Sequence, residues 1–143
     1  MEMKYKVFDK KTKQTHLVGE HKDDTLRISE DNQMVYYNLQ TKESSESDGR
    51  YILLLHTGKK DIAGEDLCEG DVIVSQVGSQ LIELRFGKYQ AYCPADGAMM
   101  DNVGFYAISN GYPQMPIGNL EEYALKIGNI YTNPEFKQNA SGK

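Results

Sequence analysis

The residues with the most evident capacity for chemistry are five acids in the middle of the chain: Asp61, Glu65, Asp66, Glu69 and Asp71. Carboxylate oxygens are the ligands that Mg²⁺ and Ca²⁺ prefer, and residues two apart in an extended strand, such as 69 and 71, share one face. An all-oxygen site needs six or more ligands, and this segment lacks the alternating spacing of a calcium loop. The favoured interpretation is that these acids solvate and cap turns; a metal-assisted enzyme is the alternative hypothesis.

The histidines and cysteines form no recognisable catalytic or zinc pattern. His16, His21, His56, Cys68 and Cys93 share no spacing with two residues between paired ligands. No nucleophile elbow precedes any serine, and the Gly-Lys pairs lack the surrounding pattern of a phosphate-binding loop. We therefore predict no catalytic residue, no metal ligand and no cofactor, and interpret both cysteines as reduced thiols.

The chain is rich in tyrosine, with 10 copies and no tryptophan. Tyr89, Tyr92 and Tyr112 lie in a segment predicted to be rich in strands, where outward rings could stack on bases or dock a peptide. Tyr89 and Tyr92 are three apart, so in one regular strand they face opposite sides and at most one points inward. The alternative for all three is ordinary core and cross-strand packing.

Net charge limits the classes of partner. The chain carries −5 overall, and residues 59–71 hold two lysines against five acids. Phosphate-backbone binding depends on lysine and arginine, so this balance disfavours a general nucleic-acid binder. Residues 51–55 form the longest apolar run, too short to span a membrane, and residues 1–5 lack the apolar core of a signal peptide. We expect no membrane partner and a cytoplasmic location.

The five acids lie in or next to the connection between two predicted strands. The backbone must reverse direction in this connection. Residues 51–55 and 72–74 are short apolar runs bounded by turn residues, which predicts two buried strands. Gly58, Gly64 and Gly70 supply the positive φ angles that the connection requires. Residues 69–71 are expected to form a sharp turn in which Asp71 accepts backbone N–H groups, so that a strand begins at about Asp71.

The remaining chain reads as a series of short strands. Residues 1–40 predict an N-terminal β region, and residues 41–50, which contain no apolar side chain, predict a polar linker or loop. In the domain predicted for residues 51–137, residues 72–93 suggest a meander of three short strands joined by Gly78 and Ser79 and by Gly87. Residues 120–126 suit strand or helix, Gly128 marks a bulge or a close backbone approach, and Asn133 with Pro134 predicts a short helix start. Residues 138–143 are expected to be a disordered tail.

Three segments, KYKVFDKK at residues 4–11, HTGKKDIAGEDLCEGDVIV at residues 56–74 and KIGNIYTNPEF at residues 126–136, together resemble the YopX family of phage and prophage proteins. The string HTGKKDIAGEDLCEGDVIV, residues 56–74, is similar to the family's central motif of TG, a short charged segment, NG, and EGD before an aliphatic pair. KYKVFDKK at residues 4–11 and KIGNIYTNPEF at residues 126–136 resemble its two ends. Ala63 departs from the family's usual asparagine. The resemblance implies an SH3-type small β-barrel for residues 51–137, behind an N-terminal β layer, with at most one short C-terminal helix.

Together these observations predict a mainly β, non-enzymatic accessory protein of phage or prophage origin that acts in the cytoplasm of a bacterial host. We expect protein contacts or self-association, because exposed strand edges are often resolved by pairing. The candidate binding surface comprises the five acids and Tyr89, Tyr92 and Tyr112. The alternatives are a module that binds single-stranded nucleic acid, and a metal-assisted enzyme that uses Glu69 and Asp71.

Overall fold

The computed structural model describes residues 4–46, 49–75 and 80–139. The chain divides into two units, Met1–His56 and Thr57–Lys143. Strands dominate the described residues, and the predicted mainly β fold class is confirmed. The described helices are four and three residues long, and no described helix is long and apolar enough to cross a membrane.

The first unit is built on one short sheet and one hairpin. Its strands are β1 (Tyr5–Asp9), β2 (Gln14–Leu17), β3 (Asp24–Ile28), β4 (Met34–Asn38) and the first part of β5 (Tyr51–Lys60). Strand β1 lies between β2 and β5 and is antiparallel to both, while β3 and β4 pair with each other. The core consists of Val7, Tyr36 and Tyr51, with Val18 and Leu53 packed against it.

The polar segment after β4 lies against that strand as far as residue 46. Tyr37 and Ser44 form a β-bridge, and Tyr36 and Ser45 exchange hydrogen bonds of 2.9 Å. Arg50 then forms an ion pair with Asp9, with its Nε 2.9 Å from Oδ1. The division between the units falls within β5, after His56, whereas the predicted division falls before residue 51. Residues 47 and 48 of the predicted linker lie outside the described residues.

The second unit contains a five-stranded curled sheet. Besides the end of β5, the strands of this unit are β6 (Asp66–Cys68), β7 (Asp71–Ser75), β8 (Leu81–Cys93), β9 (Ala98–Ile108), β10 (Met115–Pro116) and β11 (Ala124–Asn129). The sheet order is β10-β9-β8-β7-β11, while β6 pairs with β5. Its core consists of five buried residues: Leu67, Ile73, Leu84, Leu120 and Ala124. This is the small barrel-like architecture predicted for the C-terminal part.

The predicted reversal before β7 is confirmed. Gly58, Gly64 and Gly70 all have positive φ, at 84°, 86° and 89°. The Cβ that any other residue would place at position 70 would collide with the ring of Tyr131, so glycine is needed there for space as well as for backbone conformation. Strand β7 begins at Asp71, as predicted.

The prediction of three short strands in residues 72–93 is wrong at Gly87. Gly78 and Ser79 lie outside the described residues, but β8 runs unbroken from Leu81 through Gly87 to Cys93. Gly87 has a φ of 149° and lies opposite Gly104, whose φ is 156°. Two glycines in this conformation face each other across one ladder, and the pairing of β8 with β9 continues unbroken through both.

Residues 120–126, for which the sequence allowed either helix or strand, contain both. Residues 120–123 form helix α1 (Leu120–Tyr123), and β11 follows at once. The bulge predicted at Gly128 is confirmed by a register shift after Lys126. A single 3₁₀ turn, Pro134–Phe136, follows Asn133. Gln138, the first residue of the predicted disordered tail, is buried, and its backbone N–H donates to Glu83 at 2.7 Å.

Candidate functional site

The acids of residues 61–71 do not act as one group, and Asp61 holds the turn before β6. Its side chain is buried and accepts three backbone N–H groups, from Ala63 at 3.0 Å, Glu65 at 2.8 Å and Lys126 at 2.9 Å. Burial alone would raise the pKa of Asp61, but these donors outweigh it, and the pKa is lowered. Asp61 therefore stabilises a turn and the approach of β11.

Asp71 has a similar role at the start of β7. It is fully buried and accepts the backbone N–H of Cys68 at 2.7 Å, as predicted. The ammonium group of Lys126 lies 3.8 Å from its Oδ2 and 3.9 Å from Glu65 Oε1. The same Nζ donates to the carbonyl oxygen of Asp66 at 3.1 Å. The carboxylates of Glu65 and Asp71 and the carbonyl of Asp66 thus lie around the ammonium group of one lysine of the same chain.

The other two acids have separate surroundings. Asp66 forms an ion pair with Lys60 at 2.7 Å. Glu69 lines a shallow cleft of about 220 Å³ together with Arg85 and Tyr131, where burial raises the pKa of Tyr131 to about 12. Across the described residues, no group of three or more His, Cys, Asp or Glu side chains is arranged to hold a metal ion.

The three tyrosines of the predicted binding surface do not share one surface. The ring of Tyr89 is half-buried and stacks on Tyr106 with the centroids 4.9 Å apart. Tyr92 points to the other side of β8 and is 61% exposed, which confirms that the two tyrosines face opposite ways. Tyr112 is exposed in the loop before β10. Tyr92 is therefore the outward member of the pair.

Tyr92 belongs to a feature that the sequence did not reveal, the part of the β8–β9 hairpin beyond Gly87 and Gly104. Residues 88–93 and 98–103, here called the outer hairpin, pair only with each other among the described strands. The outer hairpin ends in a turn at residues 94–97, where Gly97 N–H donates to the Cys93 carbonyl at 2.9 Å. A two-stranded ribbon is only marginally stable alone in water. Contacts between the outer hairpin and a binding partner would therefore stabilise the outer hairpin.

The face of this hairpin that carries the even-numbered residues of β8 is exposed and largely apolar, while on β9 residues 98–103 are exposed on both faces. In β8 every second residue from 86 to 92 is exposed, so the even-numbered side chains share the solvent face. Their cross-strand neighbours in β9 complete it, and Val103 is 78% exposed and Met99 50%. We name the eight residues of this face the hairpin face: Phe86, Lys88, Gln90, Tyr92, Met99, Asp101, Val103 and Phe105.

A polar network in the first unit is the other arrangement that sequence reasoning missed. The carboxylate of Asp24 lies 3.0 and 3.1 Å from Nε2 of His16 and accepts the hydroxyl of Tyr36 at 2.5 Å. Burial opposes ionisation of Asp24, yet these donors and the N–H groups of Gly19 and His21 lower its pKa. The imidazole rings of His16 and His21 stack at 4.1 Å. Among the described hydrogen bonds, the partner of His16 Nε2 is the Asp24 carboxylate.

The fold is that of a small, mainly β protein, and its most exposed large hydrophobic residue among those described, Val103, lies on the β8–β9 hairpin. The sequence profile of the family described as "YopX protein" matches residues 4–136, nearly the whole chain. The chain therefore belongs to the YopX protein family, as the resemblance predicted.

One solved structure shares this fold along almost its whole length. The crystal structure of protein EF1440 from Enterococcus faecalis matches with a TM-score of 0.53 and 20% sequence identity. The match covers 94% of this chain and 97% of that protein. At this identity the likeness concerns the fold. A search of curated proteins found no match.

Proposed function

We propose that this protein is a non-enzymatic accessory protein of phage or prophage origin that works in the bacterial cytoplasm through protein contacts. The observation that supports this proposal is the hairpin face, where Tyr92, Met99 and Val103 are exposed on one two-stranded ribbon. Exposed apolar groups gathered on one surface are typical of interaction sites. Methionine and tyrosine suit such contacts because one adapts its shape and the other offers a large, rigid ring.

The surroundings of the acids support the same proposal. Lys126 already lies among Glu65, Asp66 and Asp71, so an added divalent ion would have to displace an ammonium group. Both carboxylate oxygens of Asp61 already accept hydrogen bonds from backbone N–H groups. These contacts favour the turn-capping interpretation over the metal-assisted enzyme.

The test is capture of partners from lysate of the bacterial host by the immobilised full-length protein. The wild type is compared with the Tyr92→Ser and Met99→Ser variants. Leu39→Ser is the matched control, because Leu39 in the first unit is as exposed as Met99, at 50% each. We expect defined proteins to be retained by wild type and control and lost from the two hairpin variants. Equal retention by all four would contradict the proposal.

A nucleic-acid module is the second candidate, and the exposed rings of Tyr92 and Tyr112 are the observation that favours it. The charge of the surface opposes it, because Lys88 of the hairpin face lies 3.5 Å from Asp101 and the chain is acidic overall. Titration of fluorescent single-stranded DNA and RNA at low salt decides between the two. Saturable binding that weakens steeply with salt would replace protein contact as the proposed function.

A further inference from the structure

The hairpin face has a composition that is symmetric along its length. Four cross-strand pairs make it up: Phe86 with Phe105, Lys88 with Val103, Gln90 with Asp101, and Tyr92 with Met99. The first and last pairs are wholly apolar or aromatic, and Phe86 and Phe105 contact edge to face with centroids 4.8 Å apart. Of the two middle pairs, one carries the positive charge of Lys88 and the other the negative charge of Asp101. The face as a whole is therefore neutral on a chain of net charge −5.

We propose that the hairpin face binds the hairpin face of a second copy of this chain, about a two-fold axis parallel to the two strands. This inference rests on the proposed function and names the partner of the same surface. An axis parallel to the strands exchanges the β8 and β9 sides between the copies, so each cross-strand pair meets its own counterpart.

The resulting contacts are complementary in every pair. Phe86 meets Phe105 of the second copy, and Tyr92 meets Met99, so that rings pack on a ring and on a thioether. Gln90 meets Asp101 of the second copy, and in this copy the Gln90 amide already donates to Asp101 at 3.0 Å.

The charged residues fit the same axis. The apolar stem of Lys88 meets Val103 of the second copy, and its ammonium group, which lies 3.5 Å from Asp101 of its own copy, is also within reach of the Asp101 carboxylate of the second copy. No pair brings like charges together. This charge complementarity of the face with itself is the reason that a second copy, rather than an unrelated protein, is the partner that we propose.

The size of the face sets the expected strength. Four pairs at every second residue span roughly 20 Å along strands that rise about 3.4 Å per residue. A ribbon two strands wide then offers a few hundred Å², below the roughly 800 Å² per partner of a standard stable interface. We therefore expect a weak, reversible dimer that dissociates on dilution.

Sedimentation velocity of the full chain over a concentration series up to roughly 500 µM, the range suited to a weak interface, tests the proposal. The wild type is compared with Val103→Lys, which places two lysines face to face across the axis. Ile28→Lys is the matched control, because Ile28 is an exposed aliphatic residue of a β-hairpin in the first unit, at 65% against 78% for Val103. We expect the average mass of wild type and control to rise with concentration and that of Val103→Lys to stay monomeric.

A compensating variant tests the axis itself. In Lys88→Asp combined with Val103→Lys, each new lysine meets the new aspartate of the other copy, and we expect association to return. Melting curves by circular dichroism are the check that all variants are folded. A wild type that is monomeric throughout, or Val103→Lys that associates like the wild type, would overturn the inference. Capture of a host protein through the same face would still support the proposed function, so the two failures are distinguishable.

Discussion

At the scale of single residues, the buried carboxylates of this protein act on its own backbone. Asp61 and Asp71 accept N–H groups at turns, and Asp24 accepts them beside His16 and Tyr36. A buried carboxylate that lost these donors would be costly, and a buried N–H that lost its acceptor is costly too. The acids therefore contribute to the stability of the fold.

The first prediction concerns Asp61. Asp61→Ala leaves the N–H groups of Ala63, Glu65 and Lys126 without their acceptor, so we expect a loss of about 3 kcal/mol in the free energy of unfolding. Glu65→Ala is the control, because Glu65 is exposed and should change stability by less than about 0.5 kcal/mol. Urea unfolding followed by circular dichroism measures both. Equal stabilities would show that the turn is held by other contacts.

The second prediction concerns pH. The hydrogen bonds from Arg50 lower the pKa of Asp9 from its ordinary value of 3.8 to about 2. Because the folded-state pKa lies below the unfolded one, the stabilisation is fully present above about pH 4 and is lost as the pH falls toward 2. We expect the stability difference between wild type and Asp9→Asn to vanish across this window. A difference that is constant from pH 6 to pH 2 would contradict the assignment.

At the scale of elements, the sequence was most informative where glycine and apolar runs coincide. Residues 51–55 and 72–74 are strands, and β7 begins at Asp71, because apolar alternation and turn chemistry agree there. The contact of Lys126 with these turns was not predictable. Lys126 lies 65 residues after Asp61, and the pairing of β11 with β7 brings it close.

Gly87 shows the limit of the same reasoning. A glycine between two apolar runs predicts a turn, but here the partner strand carries Gly104 directly opposite, and the ladder continues. A single glycine gives no local sign of such a cross-strand partner. The hairpin face was missed for this reason, because three short strands would leave no long hairpin.

The third prediction tests that glycine. Gly87→Ala introduces no collision, since nothing lies within 4 Å of the added Cβ, but its φ of 149° is unfavourable for alanine. We expect destabilisation of about 1–2 kcal/mol. Gly118→Ala is the control, because position 118 also has open space and lacks a positive φ, so it should be neutral or slightly stabilising. Similar melting temperatures for the two variants would contradict the backbone argument.

At the scale of the whole molecule, β5 decides where one unit ends. Tyr51 belongs to the core of the first unit and pairs with Asp9, whereas the polar segment before it suggested a division at residue 51. Composition detects a polar segment but not that the next strand is shared between two units. Family membership, in contrast, was readable from three short motifs.

The fourth prediction follows from this division. A fragment of residues 1–50 lacks β5, one of the two strands that pair with β1, whereas a fragment of residues 1–60 retains it. We expect dispersed amide resonances and a cooperative melting transition from residues 1–60 and neither from residues 1–50. Heteronuclear NMR and calorimetry provide the comparison. A shorter fragment that folds equally well would place the division before residue 51.

Strand β5 also constrains how this chain can vary in length. Side chains alternate between faces at every residue, so one inserted or deleted residue within Tyr51–Lys60 would turn the remaining side chains of the strand inside out. Tyr51 and Leu54 are both buried although they lie three apart and so face opposite sides of the strand, and one residue inserted between them would place both on the same face. Relatives are therefore expected to keep this ten-residue strand at constant length and to differ in length in their surface connections, such as residues 110–114.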